Sequence, residues 1–456
     1  MADFDVLVIG GGTGNKVANA AADAGLETAL IERGPIGGTC VNRGCNPSKT
    51  LIQRADLVES IRRAGEFGID ARIEGIDYGA IVREVTASVD GKSDRMERAD
   101  RERDRLTLFR EQARFVDDRT LEIDGREVTG EKVVVAAGAR PVVPPIEGID
   151  EVDYLTNREA LRLETQPERL VVIGGGYIAA ELGHFYGALG THVTIVGRDD
   201  VLVGREDREV AETFTDLARR RHTVRTGYTA TAVERTGDGI TVHAERNDGG
   251  EEIEIEGDDL LVAAGRRPNT DLLDVEAAGI ETDERGFVET NEYLETSAPN
   301  VWAQGDIAGN FQFKHAADHE AKYVVENALR GEQTPVDYTG MAHAIFTSPQ
   351  IAATGLTEQE LEERGRAYVV GRRAYDDTVM GRALKAEDGF VKVLADPDDG
   401  TVLGCHIVGP EASTLIHEVI VAITSGSGTV FDVTNAIHVH PALSKVVLEA
   451  FEDTDV

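Results

Sequence analysis

Two cysteines in GGTCVNRGCNPSK, Cys40 and Cys45, follow a glycine-rich loop and lead into a helical pattern. At this spacing two thiols meet across one turn and can form a disulfide. In a long chain with only three cysteines, a pair within one short motif offers redox exchange or metal ligation. A closed metal site needs two further soft ligands, and no Cys or His pair stands nearby, so no metal is expected. Lys49 follows on the same helix, where its charge can lower the pKa of a neighbouring thiol. Cys405 lies in the apolar strand pattern TVLGCHIVG and reads as a buried, inert thiol.

Reduction of a disulfide also needs an acid for the leaving thiolate. AIHVHPALSK places His438 and His440 just before Pro441, and imidazole titrates near neutrality. Alone, either histidine reads as structural.

Two repeated units have to position these groups. FDVLVIGGGTGN is a short strand meeting a Gly-rich turn, followed by an Ala-rich helix from Val17 to Ala24 and the strand ETALIE. RLVVIGGGYIAAELGHFYGALGTHVTIVGR repeats the plan, so the chain carries two dinucleotide-binding βαβ units. In the first, Gly10 and Gly12 permit the tight turn and close approach to a pyrophosphate at the helix N-terminus. Asn15 replaces the usual third glycine, which is expected to loosen helix–strand packing slightly. Glu32 ends the second strand, where an acid accepts hydrogen bonds from both hydroxyls of an adenosine ribose. The second unit reads Gly174, Gly176 and Ala179, with Gly197 where a ribose-binding acid would stand. An acid there would clash with a 2′-phosphate, whereas Arg198 and Arg205 can pair with one. NADPH is therefore expected over NADH.

The stretch from about 54 to 118 is highly charged and reads as helical with a solvated face. KVVVAAGARP and DLLVAAGRRPN are apolar strands ending in small residues and Gly138 or Gly265. From about Tyr338 the texture changes to alternating strands and two terminal helices. The expected fold is α/β: a dinucleotide-binding unit over 1–150, a second, NADPH-type unit over 151–268, a stretch over 269–337 that the family resemblance given below assigns to the first, FAD-binding unit, and a C-terminal α+β domain over 338–456.

Composition narrows the function class. The 83 acidic against 47 basic residues give a net charge of −36 spread along 456 residues, which repels nucleic acid and anionic membranes and resembles halophilic proteins. No apolar run is long enough for a membrane span, and the N-terminus enters a strand without a signal-like segment, so a cytoplasmic location is expected.

At these motifs the chain resembles the pyridine nucleotide-disulfide oxidoreductases, the family of glutathione reductase, dihydrolipoamide dehydrogenase, mercuric reductase and mycothione reductase. Order and spacing match over nearly the full length: FAD unit, GGTCxNxGCxPSK, NADP unit, AAGRRPN, GDIAG and a terminal HxHP. The resemblance implies FAD and NADPH as cofactors, with Gly10, Gly12, Gly14, Glu32, Gly138 and Asp306 on the FAD side and Gly174, Gly176, Ala179, Arg198, Arg205 and Gly265 on the NADPH side. It implies that Cys40 is the interchange thiol, that Cys45 lies against the flavin, that Lys49 pairs with Glu181 beside flavin N5, and that Tyr177 covers the empty nicotinamide site. His440 is implied as the acid reaching Cys40 of a second subunit, in an obligate homodimer joined through the C-terminal domain.

Three positions depart from the pattern. Asn15 resembles the mycothione reductase form GxGxGN, Asn46 replaces an apolar residue, and Lys445 stands where the family has the Glu that holds the imidazole. The chain ends FEDTDV, without the terminal cysteines of mercuric reductases or large thioredoxin reductases. A small-thiol disulfide is the expected substrate, with bis-γ-glutamylcystine the specific candidate and dihydrolipoamide dehydrogenase activity the alternative. A redox-inactive structural flavoprotein would be expected to have lost a cysteine or the terminal histidine.

Overall fold

The computed structural model describes residues 2–237 and 239–456. FDVLVI is apolar on both faces, and β1 (Phe4–Ile9) accordingly lies in the middle of a sheet with Val6, Leu7 and Val8 fully buried. Helix α1 (Gly14–Asp23) turns Val17, Ala18, Ala21 and Ala22 inward onto that sheet, and β2 (Thr28–Ile31) returns parallel to β1.

The charged stretch is helical only to Arg101. It holds α2 (Cys45–Arg63) and α3 (Tyr78–Arg101), after which β3 (Leu106–Phe109) and β4 (Ala113–Asp117) are strands. The expectation of helix to residue 118 is therefore corrected. LTLF and ARFVD bury Leu106, Ala113 and Phe115, and the charges around them hid short apolar strands. With β5 (Thr120–Ile123) and β6 (Arg126–Val135) the sheet runs β3–β2–β1–β6–β5–β4.

The second unit opens with β7 (Arg169–Ile173), α4 (Tyr177–Leu189) and β8 (His192–Gly197). After α5 (Arg208–Arg219), strands β9 (Thr223–Thr226) and β10 (Asp259–Val262) complete a parallel sheet ordered β9–β8–β7–β10. An antiparallel three-stranded sheet over Tyr228–Thr236, Gly239–Arg246 and Glu252–Gly257 precedes β10. The chain then returns to the first sheet, where β11 (Val301–Ala303) pairs parallel with β6 through Val301 and Val133. Helix α6 (Lys314–Val324) follows.

The C-terminal part is a five-stranded antiparallel sheet. Its strands β12 (Ala342–Ile345), β13 (Gln350–Gly355), β14 (Val369–Ala374), β15 (Phe390–Ala395) and β16 (Val402–Gly409) run β12–β13–β16–β15–β14. Helices α7 (Ala412–Ser425) and α8 (Lys445–Glu452) pack on it, and Cys405 is fully buried in β16. Val421, Phe431, Ile437 and Val439 are exposed on this part, Ile437 completely. Among the described residues, no helix is long and apolar enough to cross a membrane.

Two connections lock the second unit to the C-terminal sheet. Lys392 of β15, almost fully buried, donates to Asp207 at 2.9 Å and to Glu358 at 2.5 Å. Asp207 also caps α5 and accepts from the Glu358 N–H, so its buried charge is satisfied on several sides. These bonds offset a desolvation that would otherwise expel both ions.

Candidate active site

A cavity of about 1000 Å³ opens where the two units and the C-terminal sheet meet. Its wall includes Gly10, Gly12, Glu32, Cys40, Cys45, Lys49, Gly138, Tyr177, Glu181 and Asp306. Those residues come from segments spread over some 300 positions of sequence, and the parallel sheets bring them together by placing the loops after their strands on one side.

Cys45 is the first residue of α2, and Cys40 belongs to the short helix Gly38–Arg43 just before it. The two thiols lie close enough to act on each other, which splits their acidities. The Cys40 thiol, helped by the charge of Lys49, pulls Cys45 down to about 7 against the effect of burial. Cys45 and burial push Cys40 far above the ordinary thiol value, so in the dithiol state the proton resides on Cys40. A helix N-terminus further favours the thiolate on Cys45. Asn46 brings its Oδ1 to 3.9 Å from the Cys40 sulfur, so the departure from an apolar residue places a weak polar contact on that thiol.

Lys49, one turn along α2, meets Glu181 of α4 with both carboxylate oxygens, at 2.8 and 2.6 Å. The Phe346 N–H donates to the same carboxylate at 3.0 Å, and the ammonium lies 5.0 Å from the Phe346 ring centroid. Two turns farther along α2, Asp56 meets His184 of α4 at 2.8 Å. An ion pair and a histidine–carboxylate contact thus fix the α2–α4 seam that carries the thiols.

The glycine loops divide their labour. A Cβ on Gly10 would stand 2.2 Å from the Ala136 carbonyl and one on Gly174 2.2 Å from the Ala263 carbonyl, so both are turn positions pressed on the next strand's end. Around Gly12 and Gly176 there is room for a ligand to approach the backbone, the nearest atom to a Cβ being 3.7 Å away at Gly12. Gly14 and Ala179 do not line the cavity. Gly14 packs against Ala136 and Val8, and Ala179 is buried in α4, so these two hold helix to sheet. Asn15 does not loosen that packing: its side chain donates to the buried Asp100 of α3 at 2.6 Å, tying α1 to α3. Glu32 accepts from the Gly11 N–H at 2.8 Å and the Gly34 N–H at 2.7 Å, which orients its carboxylate at the cavity wall.

On the second unit, Gly197 is buried at the end of β8, while Arg198 and Arg205 are exposed, the Arg198 side chain by 80%. Gly265 is exposed after β10 with φ +124°. These residues lie outside the central cavity.

His440 does not join the cysteines within one chain. It sits on an exposed segment between Val439 and Pro441, while its neighbour His438 is nearly buried and meets Glu418 of α7 at 3.1 Å. Lys445, half-buried, begins α8. The histidine that a carboxylate holds is therefore His438, and the carboxylate comes from α7.

Sequence reasoning missed several residues at or behind the cavity wall. Gln304 is almost fully buried with neither amide atom hydrogen-bonded, beside Asp306. Glu206, His343 and Phe313 surround Tyr177. No local pattern signals them, since each contact joins segments far apart in sequence.

Residues 4–321 match the family described as pyridine nucleotide-disulphide oxidoreductase, and residues 341–451 match its dimerisation domain. The chain is 37% identical over 461 residues to mycothione reductase of Mycobacterium tuberculosis, covering 99% of each. It is 38% identical over 464 residues to dihydrolipoyl dehydrogenase of Haloferax volcanii, covering 98% of this chain and 96% of that one. Among solved structures, HOCl-induced flavoprotein disulfide reductase RclA from Escherichia coli matches with a TM-score of 0.86 at 26% identity, covering 99% of both chains. With both family matches falling on the units that build the cavity, the chain belongs to the pyridine nucleotide-disulphide oxidoreductases, enzymes that use FAD and NAD(P)H.

Proposed function

We propose that the protein is an NADPH-dependent reductase of a small-thiol disulfide, working through Cys40 and Cys45 as a homodimer in the cytoplasm of a halophile. The observation that carries this reading is that Cys40 and Cys45, on two consecutive helices, both line the cavity at the head of α2 beside Lys49 and Glu181.

The cavity suits FAD. Its wall offers Gly12 for close backbone approach, Glu32 for ribose hydroxyls, and the Gln304 amide, which has no hydrogen-bond partner and which a large polar ligand would satisfy. Asp306, 3.5 Å from Arg266, adds an acceptor held neutral more readily than usual by its burial. Gly10, Gly12, Glu32, Gly138 and Asp306 would hold the dinucleotide, and Lys49 would face its ring. When bound, the flavin supplies two-electron transfer between nicotinamide and the cysteine disulfide.

For the chain's own residues, the dithiol delivers two electrons to substrate. Cys40, as thiolate, attacks one sulfur of R–S–S–R. A mixed disulfide forms and R–S⁻ leaves, taking a proton from His440 of a second copy. The Cys45 thiolate then attacks Cys40, releases the second thiol and restores the Cys40–Cys45 disulfide. The proton on Cys40 in the dithiol must move before attack, and a neutral imidazole close by can take it. The exposed Ile437 and Val439 flank His438 and His440 on the C-terminal domain, which suits burial against a second copy.

NADPH is favoured because Gly197, not an acid, ends β8, and Arg198 and Arg205 are exposed beyond it, with Arg198 held only loosely by Asp199 at 3.8 Å. Bis-γ-glutamylcystine in particular is favoured by the similarity to mycothione reductase together with the acid-rich, halophile-like composition. The similarity to the Haloferax dihydrolipoyl dehydrogenase supports a second reading, oxidation of dihydrolipoamide. Steady-state rates on a panel of cellular disulfides and on dihydrolipoamide, with NADPH, NADH and NAD⁺, separate the two. A kcat/KM highest for NADPH with bis-γ-glutamylcystine is expected, and a preference for dihydrolipoamide with NAD⁺ would replace this reading.

A further inference from the structure

Tyr177 is tied down more firmly than a ring over a nucleotide site requires. Its phenol donates to Oε1 of Glu206 at 2.5 Å, and Nε2 of His343 lies 2.9 and 3.0 Å from the two oxygens of that carboxylate. The His343 ring is nearly parallel to Tyr177, with centroids 5.7 Å apart and 13° between planes. It is also parallel to Phe313 at 5.4 Å and 2°.

Glu206 itself cannot follow the tyrosine outward. It is 2% exposed, its N–H donates to the Val203 carbonyl at 2.9 Å, and its carbonyl accepts from the Gln359 side chain at 2.9 Å. The next residue, Asp207, is bonded to Lys392 of the C-terminal sheet. Burial, with the Glu206 carboxylate adding to it, pushes the Tyr177 phenol well above its ordinary value, so it remains a donor. His343 sits on β12 of the C-terminal sheet, so the contacts to Tyr177 span both domains.

From this geometry we infer that Glu206 and His343 are positioning residues that latch Tyr177 over the nicotinamide site and so set the affinity for the whole dinucleotide. The inference rests on the proposed place of Tyr177 beside that site. Nicotinamide entry requires the ring to swing away, which breaks the bond to Glu206 and the stack on His343. A ligand that binds only the swung-out form has an apparent affinity reduced by the fraction in that form. The adenosine half, bound at the exposed end of β8, needs no such movement.

The test measures equilibrium binding to the FAD-loaded enzyme by calorimetry, with NADP⁺ and with adenosine 2′,5′-bisphosphate, which lacks nicotinamide. Tyr177→Phe keeps the ring and removes the donor. It is expected to tighten NADP⁺ by about tenfold, the scale of one lost hydrogen bond to a charged group, and to leave the bisphosphate unchanged. Glu206→Gln and His343→Phe should act in the same direction and more weakly. Adding Glu206→Gln to Tyr177→Phe should give clearly less than the sum of the two single effects, because both act on the Tyr177–Glu206 bond. Unchanged NADP⁺ binding in Tyr177→Phe, equal tightening of both ligands, or additive effects in the double variant would overturn the latch. Should Glu206→Gln fail to fold, Tyr177→Phe and His343→Phe decide alone. If wild-type enzyme binds neither ligand, the nucleotide reading of the second unit fails and the latch with it.

Discussion

Glu32 and Gly197 occupy the same place in two copies of one βαβ unit. Ile9 pairs with Ile31 and the Gly10 N–H donates to the Ile31 carbonyl at 2.8 Å, so Glu32 is the first residue beyond that register. Ile173 pairs with Val196 and the Gly174 N–H donates to the Val196 carbonyl at 2.8 Å, which puts Gly197 at the matching position. At this place one unit presents a carboxylate and the other only backbone, followed by Arg198 and then Asp199 and Asp200. Replacing Arg198 with Ala should raise the KM for NADPH by roughly ten- to a hundredfold, from about 1.5–3 kcal/mol for a charged hydrogen bond, and leave that for NADH nearly unchanged. Equal changes for both nucleotides would separate Arg198 from the 2′-phosphate.

The acidity split between the cysteines has an optical consequence. Two-electron reduction should produce a long-wavelength band from the Cys45 thiolate against oxidised flavin, and Cys45→Ser should abolish it. The band should grow as pH rises through about 7, the value to which the Cys40 thiol and Lys49 bring Cys45. Lys49→Met removes a charge that favours the thiolate and should move that midpoint upward. A full band in Cys45→Ser would show that the thiols have the opposite roles.

Lys445 and Glu418 divide what one glutamate would do. Glu418 holds His438, two residues before His440, while Lys445 places a positive charge at the head of α8. A carboxylate-rich substrate docking at His440 would meet that charge, whereas an uncharged one would not. Lys445→Glu should therefore lower kcat/KM for bis-γ-glutamylcystine more than tenfold, about 1.4 kcal/mol. An uncharged disulfide should lose little. Parallel losses would mean that Lys445 acts only through the imidazole, and no loss would remove it from the site.

The charge of −36 per chain makes ionic strength a test of the halophilic reading. Many acids already pair with arginine at the surface, as Asp271 does with Arg140 at 2.6 Å, yet the excess remains. At about 0.1 M salt the screening length is near 10 Å, and repulsion in a dimer should unfold or dissociate the enzyme within hours. Sedimentation and activity followed after dilution from molar salt measure this. Full activity as a dimer at low salt would count against adaptation to brine.

The sequence by itself determined the chemistry and the frame. The Cys40–Cys45 spacing, the two Gly-rich turns between strand and helix, and Gly197 in place of an acid are short-range patterns, because each lies within one turn or one βαβ unit. Strands β3 and β4 escaped because short apolar runs amid arginine and aspartate carry too weak a period to outweigh the helical charge pattern around them. The tertiary structure decided what long-range contact decides. Asn15 found Asp100 rather than loosening its helix, Glu418 took His438, and Glu206 and His343 closed on Tyr177. Each of these joins side chains that no periodicity links. A buried polar atom takes whichever partner the packing of separate elements brings within hydrogen-bond reach, and only the folded chain fixes which one that is.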